Sequence, residues 1–391
     1  GELEQAFGIF YNQSGFRPSV TSTEFGTKPT HLIHGATGSH PITQGNIAST
    51  SSPATLNAAA TPSSKTGLLV GVALGLVGLG AVGFLLLGGK HEDPAAKTSS
   101  AALASAPPPA LASAPASASA APPPSCPEEM VQIPAGQFFM GSDLKDAPDN
   151  EKPSHNVTVE SVCMDTYEVS AKKYKACSDQ GKCRRAPTEV DWPKITAAER
   201  TTYSPLCTIS DPEKLDHPIT CVTWEMADNY CKANDKRLPT EAEWEFATRG
   251  PDGRIYPWGD DPPTAEHLNA CDAQCLAWGK AHKVELKALE KGDDGFATTA
   301  PVGKFPAGRS RFGPYDVVGN VWEWVADWYG DYKADAAKNP LGPTSGERKV
   351  IRGGAWNAGF ETWLHPSFRY AQVPNAQSYG IGFRCVKSLA P

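Results

Sequence analysis

The sequence predicts one loop-rich domain of short strands and short helices, carried outside a membrane by a single helix. Three observations lead there. All ten Cys and all ten Trp lie between Cys126 and Cys385, so one core is expected in the C-terminal part of the 391 residues. Residues 67–89 read GLLVGVALGLVGLGAVGFLLLGG, without a charge or a strongly polar side chain. Beyond Cys126 the chain is punctuated by Gly and Pro, so its regular elements are short and its loops are pinned by aromatics.

The apolar stretch comes first. At a rise of about 1.5 Å per residue it is long enough to cross a bilayer core of about 30 Å. Its glycines would weaken a soluble helix by about 1 kcal/mol each relative to alanine, whereas membrane helices tolerate them. The residues before it, 1–66, are too many for an ordinary signal peptide, and no basic segment abuts it. Two clues to orientation disagree. Lys65 lies on the N-terminal side and Lys90 and Lys97 on the other, a small excess that points the C-terminal side to the cytoplasm. The even cysteine count, with close pairs Cys177/Cys183 and Cys271/Cys275 and no metal-spaced CxxC, reads instead as disulfides in an oxidising compartment. Several disulfides outweigh one lysine. The N-terminus is therefore expected in the cytoplasm, with a single pass and the C-terminal domain in the periplasm or at the cell surface.

Residues 1–66 begin with GELEQAFGIFY, a short amphipathic pattern with Leu3, Phe7 and Phe10 on one face, and continue as a Ser/Thr/Pro/Gly/Ala-rich tether expected to be disordered. Residues 90–125 are an Ala/Pro/Ser-rich linker whose prolines favour an extended spacer. The globular part, 126–388, opens with MVQIPAGQFFMG, two short strands about a turn, and HNVTVESVCMD reads as further strand. Val222–Asp235 is predicted helical, with Ala227 and Tyr230 or Cys231 on one face. PTEAEWEFATRG is a second helix, capped by Thr240, boxed by Glu243 and closed by Gly250. The net charge of −7, with Lys182–Arg185 the densest basic cluster, argues against nucleic acid as a partner.

Several motifs follow in one order: IPAGQFFMGS, EKPSHNVTV, KRLPTEAEWEFATRG, YPWGD, GDDGFATTAPVGKFPAGRSRFGPYDVVGNVWEW, VIRGGAW and GIGFRC. Together they closely resemble the sulfatase-modifying-factor family, typified by the formylglycine-generating enzyme, from about Cys126 to Ser388. The resemblance implies an α+β fold, irregular and loop-rich, distantly similar to C-type lectins, in which calcium ions help to fix the loops. One implied calcium site takes Asn269 by its side chain, Ala270 by its carbonyl, Asp294 by its carboxylate and Phe296 by its carbonyl. The other takes Asp316, Gly319, Val321 and Glu323. Both sets offer the hard oxygens that calcium prefers, although Asp294 and Asp316 would also serve as plain turn caps. The resemblance further implies a Cys231–Cys385 disulfide, worth about 4–5 kcal/mol by the loop-closure model. Cys126, Cys163, Cys207 and Cys221 then remain, and their pairing stays open.

The departure lies in IRGGAWNAGFETWLHPSFRY. The formylglycine-generating enzyme oxidises a substrate cysteine with oxygen, using copper held by two cysteines spaced C-x4-C just after an RGGS-Y/W motif. Laid on that motif, RGGAW puts Ala355 at the serine and Ala358 and Trp363 at the two cysteines. Alanine and tryptophan cannot supply the soft thiolates that select Cu(I), so copper is not expected. One reading is a non-catalytic module whose aromatic floor, with Trp356, Asn357, Phe360 and Trp363, binds a peptide, glycan or protein. The competing reading makes Trp356 and Trp363 simple core. Another keeps an oxidoreductase with a non-cysteine site, or an acid/base set from Glu361, His365 and Arg369. A last one makes the chain the sensor tail of a transmembrane signalling protein such as a kinase.

Overall fold

A computed structural model describes residues 125–289 and 292–389. The N-terminal tether, the apolar stretch 67–89 and nearly all of the linker lie outside the described residues. Among the described residues no helix is long and apolar enough to cross a membrane.

Strands β1 (Met130–Ile133) and β2 (Gly136–Met140) flank the Pro-Ala turn, but they do not pair with each other. The turn passes the chain from one sheet to another. Strand β1 lies antiparallel to β4 (Val162–Asp165), whose other edge takes β10 (Val386–Ser388). Strand β2 pairs with β3 (His155–Val159), which also meets β6 (Ala337–Lys338) in parallel. In β3 the period-two pattern is clean: His155, Val157 and Val159 are buried, while Asn156 and Thr158 are half-exposed. The third sheet runs β8 (Arg369–Gln372), β7 (Lys349–Arg352), β5 (Trp322–Trp328), β9 (Ile381–Gly382). It carries the RGGAW motif at the end of β7.

Five α-helices accompany the strands among the described residues: α1 (Ala171–Asp179), α2 (Ala197–Tyr203), α3 (Trp224–Ala233), α4 (Glu241–Arg249) and α5 (Ala273–His282). Helix α3 is shorter than the apolar pattern implied, because the Thr223 side chain accepts from the Met226 amide and sets its start. In α4, Thr240 Oγ1 accepts from the Glu243 amide at 3.1 Å and Glu243 returns the bond to Thr240 N at 2.8 Å. Gly250, at φ +73°, ends the helix. The architecture is mixed α and β, with much of the chain in irregular loops.

Helix α4 is buried almost all round, and an amphipathic stripe does not describe it. Its acidic residues survive burial because basic side chains from distant strands meet them. Glu241 takes Arg369 through two bonds, 2.8 and 2.7 Å, and Glu245 takes Arg352.

All ten cysteines pair: Cys126–Cys163, Cys177–Cys183, Cys207–Cys221, Cys231–Cys385 and Cys271–Cys275. The long closure, Cys231–Cys385, ties α3 to the residue before β10. Such a set forms and persists in oxidising environments, which points to an extracytoplasmic domain.

Candidate functional site

Strand β7 delivers Arg352 into a turn at Gly353 and Gly354, with φ of +99° and +77°. A side chain at Gly353 would stand 2.8 Å from the carbonyl of Val317, so the turn lies directly on the segment after Asp316. The Gly319 amide donates to Gly353 O at 2.8 Å, and the Trp356 amide donates to Asn320 O at 2.9 Å. The RGGAW loop is thereby fixed to one of the expected calcium segments.

The floor expected to face a ligand is interior. Ala355 and Ala358 are fully buried, Trp356 is 1% exposed and Trp363 5%. Trp356 packs edge-on to Trp278 at 5.4 Å and near Tyr379 at 6.0 Å, while Trp363 packs among Phe360, Trp322 and Phe368. Asn357 is buried as well, and only Phe360 is half-exposed. The reason is a cover. Helix α5 and the residues after it lie over the loop: the Cys271 amide donates to Ala358 O at 3.1 Å, and the Leu289 amide donates to Cys271 O at 2.7 Å. A side chain at Gly359 would stand 2.1 Å from Lys287 O, and Lys287 Nζ sits 4.1 Å above the Phe360 ring. Beneath this cover Trp356 Nε1 and Asn357 Oδ1 have no hydrogen-bond partner.

The proposed acid/base set does not assemble. Arg369 on β8 is held by Glu241 and by the carbonyl of Gly330 at 2.8 Å, with its guanidinium 3.9 Å over Tyr332. Glu361 instead accepts from the Tyr256 hydroxyl, and His365 lies edge-on to the same Tyr256 ring at 5.5 Å. Burial pushes the His365 imidazole below its usual range, and Glu361 only partly offsets this. The structure thus joins Glu361 and His365 through Tyr256, a residue not picked out in the sequence, and sets Arg369 apart as a structural ion pair.

The calcium residues fall in two adjacent clusters. Among the described residues no three His, Cys, Asp or Glu side chains form a metal cage, so any cation would depend on amide and carbonyl oxygens as well. In the first cluster Asp294 accepts from the Ala270 amide at 3.1 Å and the Phe296 amide at 2.8 Å. These bonds are those of a turn cap, yet burial still pushes its carboxyl up to about 7. Asn269 Oδ1 is buried with no hydrogen-bond partner, and an oxygen of this kind fits a hard cation.

In the second cluster, Asp316 accepts from the Gly303 amide, and Glu323 is gripped by Arg384 at 2.7 to 3.0 Å and by Trp244 Nε1 at 3.0 Å. Glu168 is the residue the sequence reading missed. Its side chain is 1% exposed, its Oε1 has no hydrogen-bond partner, and burial followed by Asp316 and Glu323 pushes its carboxyl well up. Three buried carboxylates face one guanidinium, Arg384. That balance also fits a cation, with Asp316, Glu168 and the carbonyls of Gly319 and Val321 as the available oxygens. The signal for Glu168 was the sequence DTYEVS, where one carboxylate sits between apolar neighbours right after β4.

Residues 116–389 match the sulfatase-modifying factor enzyme 1-like domain. The chain belongs to this family. It is 32% identical over 342 residues to a formylglycine-generating enzyme of Bos taurus, covering 78% of this chain and 85% of the relative. It is 30% identical over 290 residues to the inactive C-alpha-formylglycine-generating enzyme 2 of Mus musculus, covering 66% and 85%. The serine/threonine-protein kinase pkn1 of Chlamydia caviae is 30% identical over 271 residues, which are 67% of this chain and 38% of the kinase. This sulfatase-modifying-factor domain thus has relatives named as a formylglycine-generating enzyme, as an inactive one and as a protein kinase, and the match spans 38% of the kinase. In it the loop implied for copper chemistry holds buried Ala358 and Trp363.

Proposed function

We propose that the chain is a membrane-anchored sulfatase-modifying-factor domain without formylglycine-generating activity, acting outside the membrane as a binding or sensor module for a peptide, glycan or protein. The observation that carries the reading is the RGGAW loop. At the two positions implied for thiolates it has Ala358 and Trp363, both buried, Ala358 beside the segment that leads into α5 and Trp363 among Phe360, Trp322 and Phe368. No soft ligand remains there for Cu(I). Ligand contact would then fall on the rim, where Phe360 is half-exposed and Glu361 exposed, with Lys287 beside them.

Calcium in the two clusters would fix the loops that carry this rim, with no part in chemistry. Residues 67–89 would supply the anchor. The relation to a kinase of which the match spans 38% favours one second reading, that such a domain serves as the sensor part of a transmembrane signalling protein.

The test is an assay of the purified chain with a CxPxR-type peptide, copper and oxygen. No peptide oxidation above background is expected. Turnover above background would overturn the non-catalytic reading in favour of an oxidoreductase with a non-cysteine site.

A further inference from the structure

We infer that Asn320 couples the two cation clusters to each other and to the RGGAW loop, so that the clusters fill cooperatively; this rests on the calcium reading above. The side chain is 1% exposed and bonds in both directions. Its Nδ2 donates to Glu168 Oε2 at 2.7 Å, in the second cluster. Its Oδ1 accepts from Asn269 Nδ2 at 3.2 Å, in the first, and from the Ala300 amide at 2.9 Å. Donors on one side and an acceptor on the other leave the amide one orientation.

The backbone repeats the connection. Asn320 N donates to Asn269 O at 2.8 Å, and Asn320 O accepts from Trp356 N. The residue holds φ +56°, a left-handed geometry that asparagine tolerates better than most side chains. Beside it Gly319 lies so close to Asn269 O that a Cβ would stand at 2.5 Å.

The unpartnered oxygens stand on either side of this amide. Asn269 Oδ1 and Glu168 Oε1 each belong to a side chain whose other polar atom bonds to Asn320, and Asn269 Nδ2 also donates to Thr298 O at 2.8 Å. A cation on Asn269 Oδ1 would polarise that amide and strengthen its Nδ2 donation to Asn320 Oδ1. Hydrogen bonds in a chain polarise one another, so Asn320 Nδ2 would become the better donor to Glu168 and hold its free oxygen in place for the second cation. The effect is reciprocal by linkage. Asn320 is a positioning residue here: it reaches neither cation through its own side chain.

The experiment is calcium titration of the full chain by isothermal calorimetry, with intrinsic tryptophan fluorescence as a parallel readout. Asp294→Asn leaves the second site and Asp316→Asn leaves the first. If Asn320 couples them, the overall two-ion constant of the wild type exceeds the product of the two single-site constants by about 5-fold or more, the lower end of usual coupling. Asn320→Ala should bring that ratio towards one. A wild-type ratio within twofold of one overturns the coupling and leaves the calcium reading standing. Absence of calcium uptake by the wild type overturns both. Should Asn320→Ala fail to fold, the same ratio in Asn320→Asp, which keeps the acceptor oxygen but loses the donor to Glu168, takes its place, and a ratio unchanged from the wild type in either variant overturns the role of Asn320.

Discussion

Cys271 and Ala358 are joined main chain to main chain, the amide of one donating to the carbonyl of the other at 3.1 Å. Through that bond helix α5 rests on the position where the family resemblance implies a metal-binding thiolate. Leu289 holds the opposite side of Cys271, so helix, following segment and loop close as one packed layer.

Trp363→Ala should therefore cost about 3–5 kcal/mol of stability, as for other buried tryptophans, measured by urea unfolding. A pocket-lining tryptophan open to solvent would lose less than about 1 kcal/mol, and that outcome would return Trp363 to the ligand site. Ala358→Cys, which inserts a sulfur into filled space, should cost about 1–3 kcal/mol.

The disulfides should rank by the loops they close. Replacing Cys231 and Cys385 by serine is expected to cost about 4–5 kcal/mol, and replacing Cys271 and Cys275 about 2 kcal/mol, since they are 154 and 4 residues apart. Equal losses in chemical denaturation would mean that strain or packing, not loop entropy, sets the cost.

Arg369→Met should destabilise by about 3–5 kcal/mol, because it leaves Glu241 buried without its bidentate partner, with Arg352 at 3.3 Å and the Tyr332 hydroxyl at 3.1 Å remaining. Changing Glu241 to Met in the same chain should recover part of that loss. A double-mutant cycle with no coupling would return Arg369 to the list of functional candidates.

Glu151 supplies a pH signature. It is 2% exposed, and burial pushes its carboxyl from 4.5 up to about 7, with Ser367 and Arg352 acting in the opposite sense. A raised folded-state value favours the protonated form, so this contribution is fully present below about pH 4.5 and lost as pH rises through 7. Glu151→Gln should match the wild type near pH 4 and exceed it by about 3 kcal/mol at pH 8. Parallel stability curves for the two proteins would show that Glu151 is ionised and compensated in the fold.

Calcium removal offers a direct check on the clusters. Chelation should lower the melting temperature of the wild type, and less so in Asp294→Asn, which lacks a carboxylate of the proposed first site. An unchanged melting temperature on chelation would remove calcium from both clusters.

Local signals were legible in the sequence where one residue acts on its near neighbours. Thr240, Glu243 and Gly250 fixed both ends of α4, and α3 starts two residues inside the expected limit, at a Thr223 cap that the sequence pattern did not single out. Long-range pairings were not. Arg369 looked like a partner for Glu361 and His365 because they are close in sequence, but β-strand geometry carries its side chain to α4, 128 residues away. For Trp356 and Trp363 the sequence left a ligand floor and plain core as competing readings, because the loop around them is polar, and the structure takes the core. Trp356 is covered from the segment between Cys271 and Leu289, which no pattern in RGGAW announces. Glu168 escaped notice because a lone carboxylate after a strand shows its value only once Asp316 and Asn320 fold against it.

The first bridge, Cys126–Cys163, reaches past β1 to the middle strand of its sheet, where β4 is flanked by β1 and β10. A chain tugged from residue 125 would therefore not unzip β1 rung by rung. The load enters at Cys163 and must shear β4 between two neighbours, one of them stapled through Cys385 to α3. An oxidised domain should resist pulling from its N-terminal end far better than a reduced one, a mechanical property that force spectroscopy would read directly.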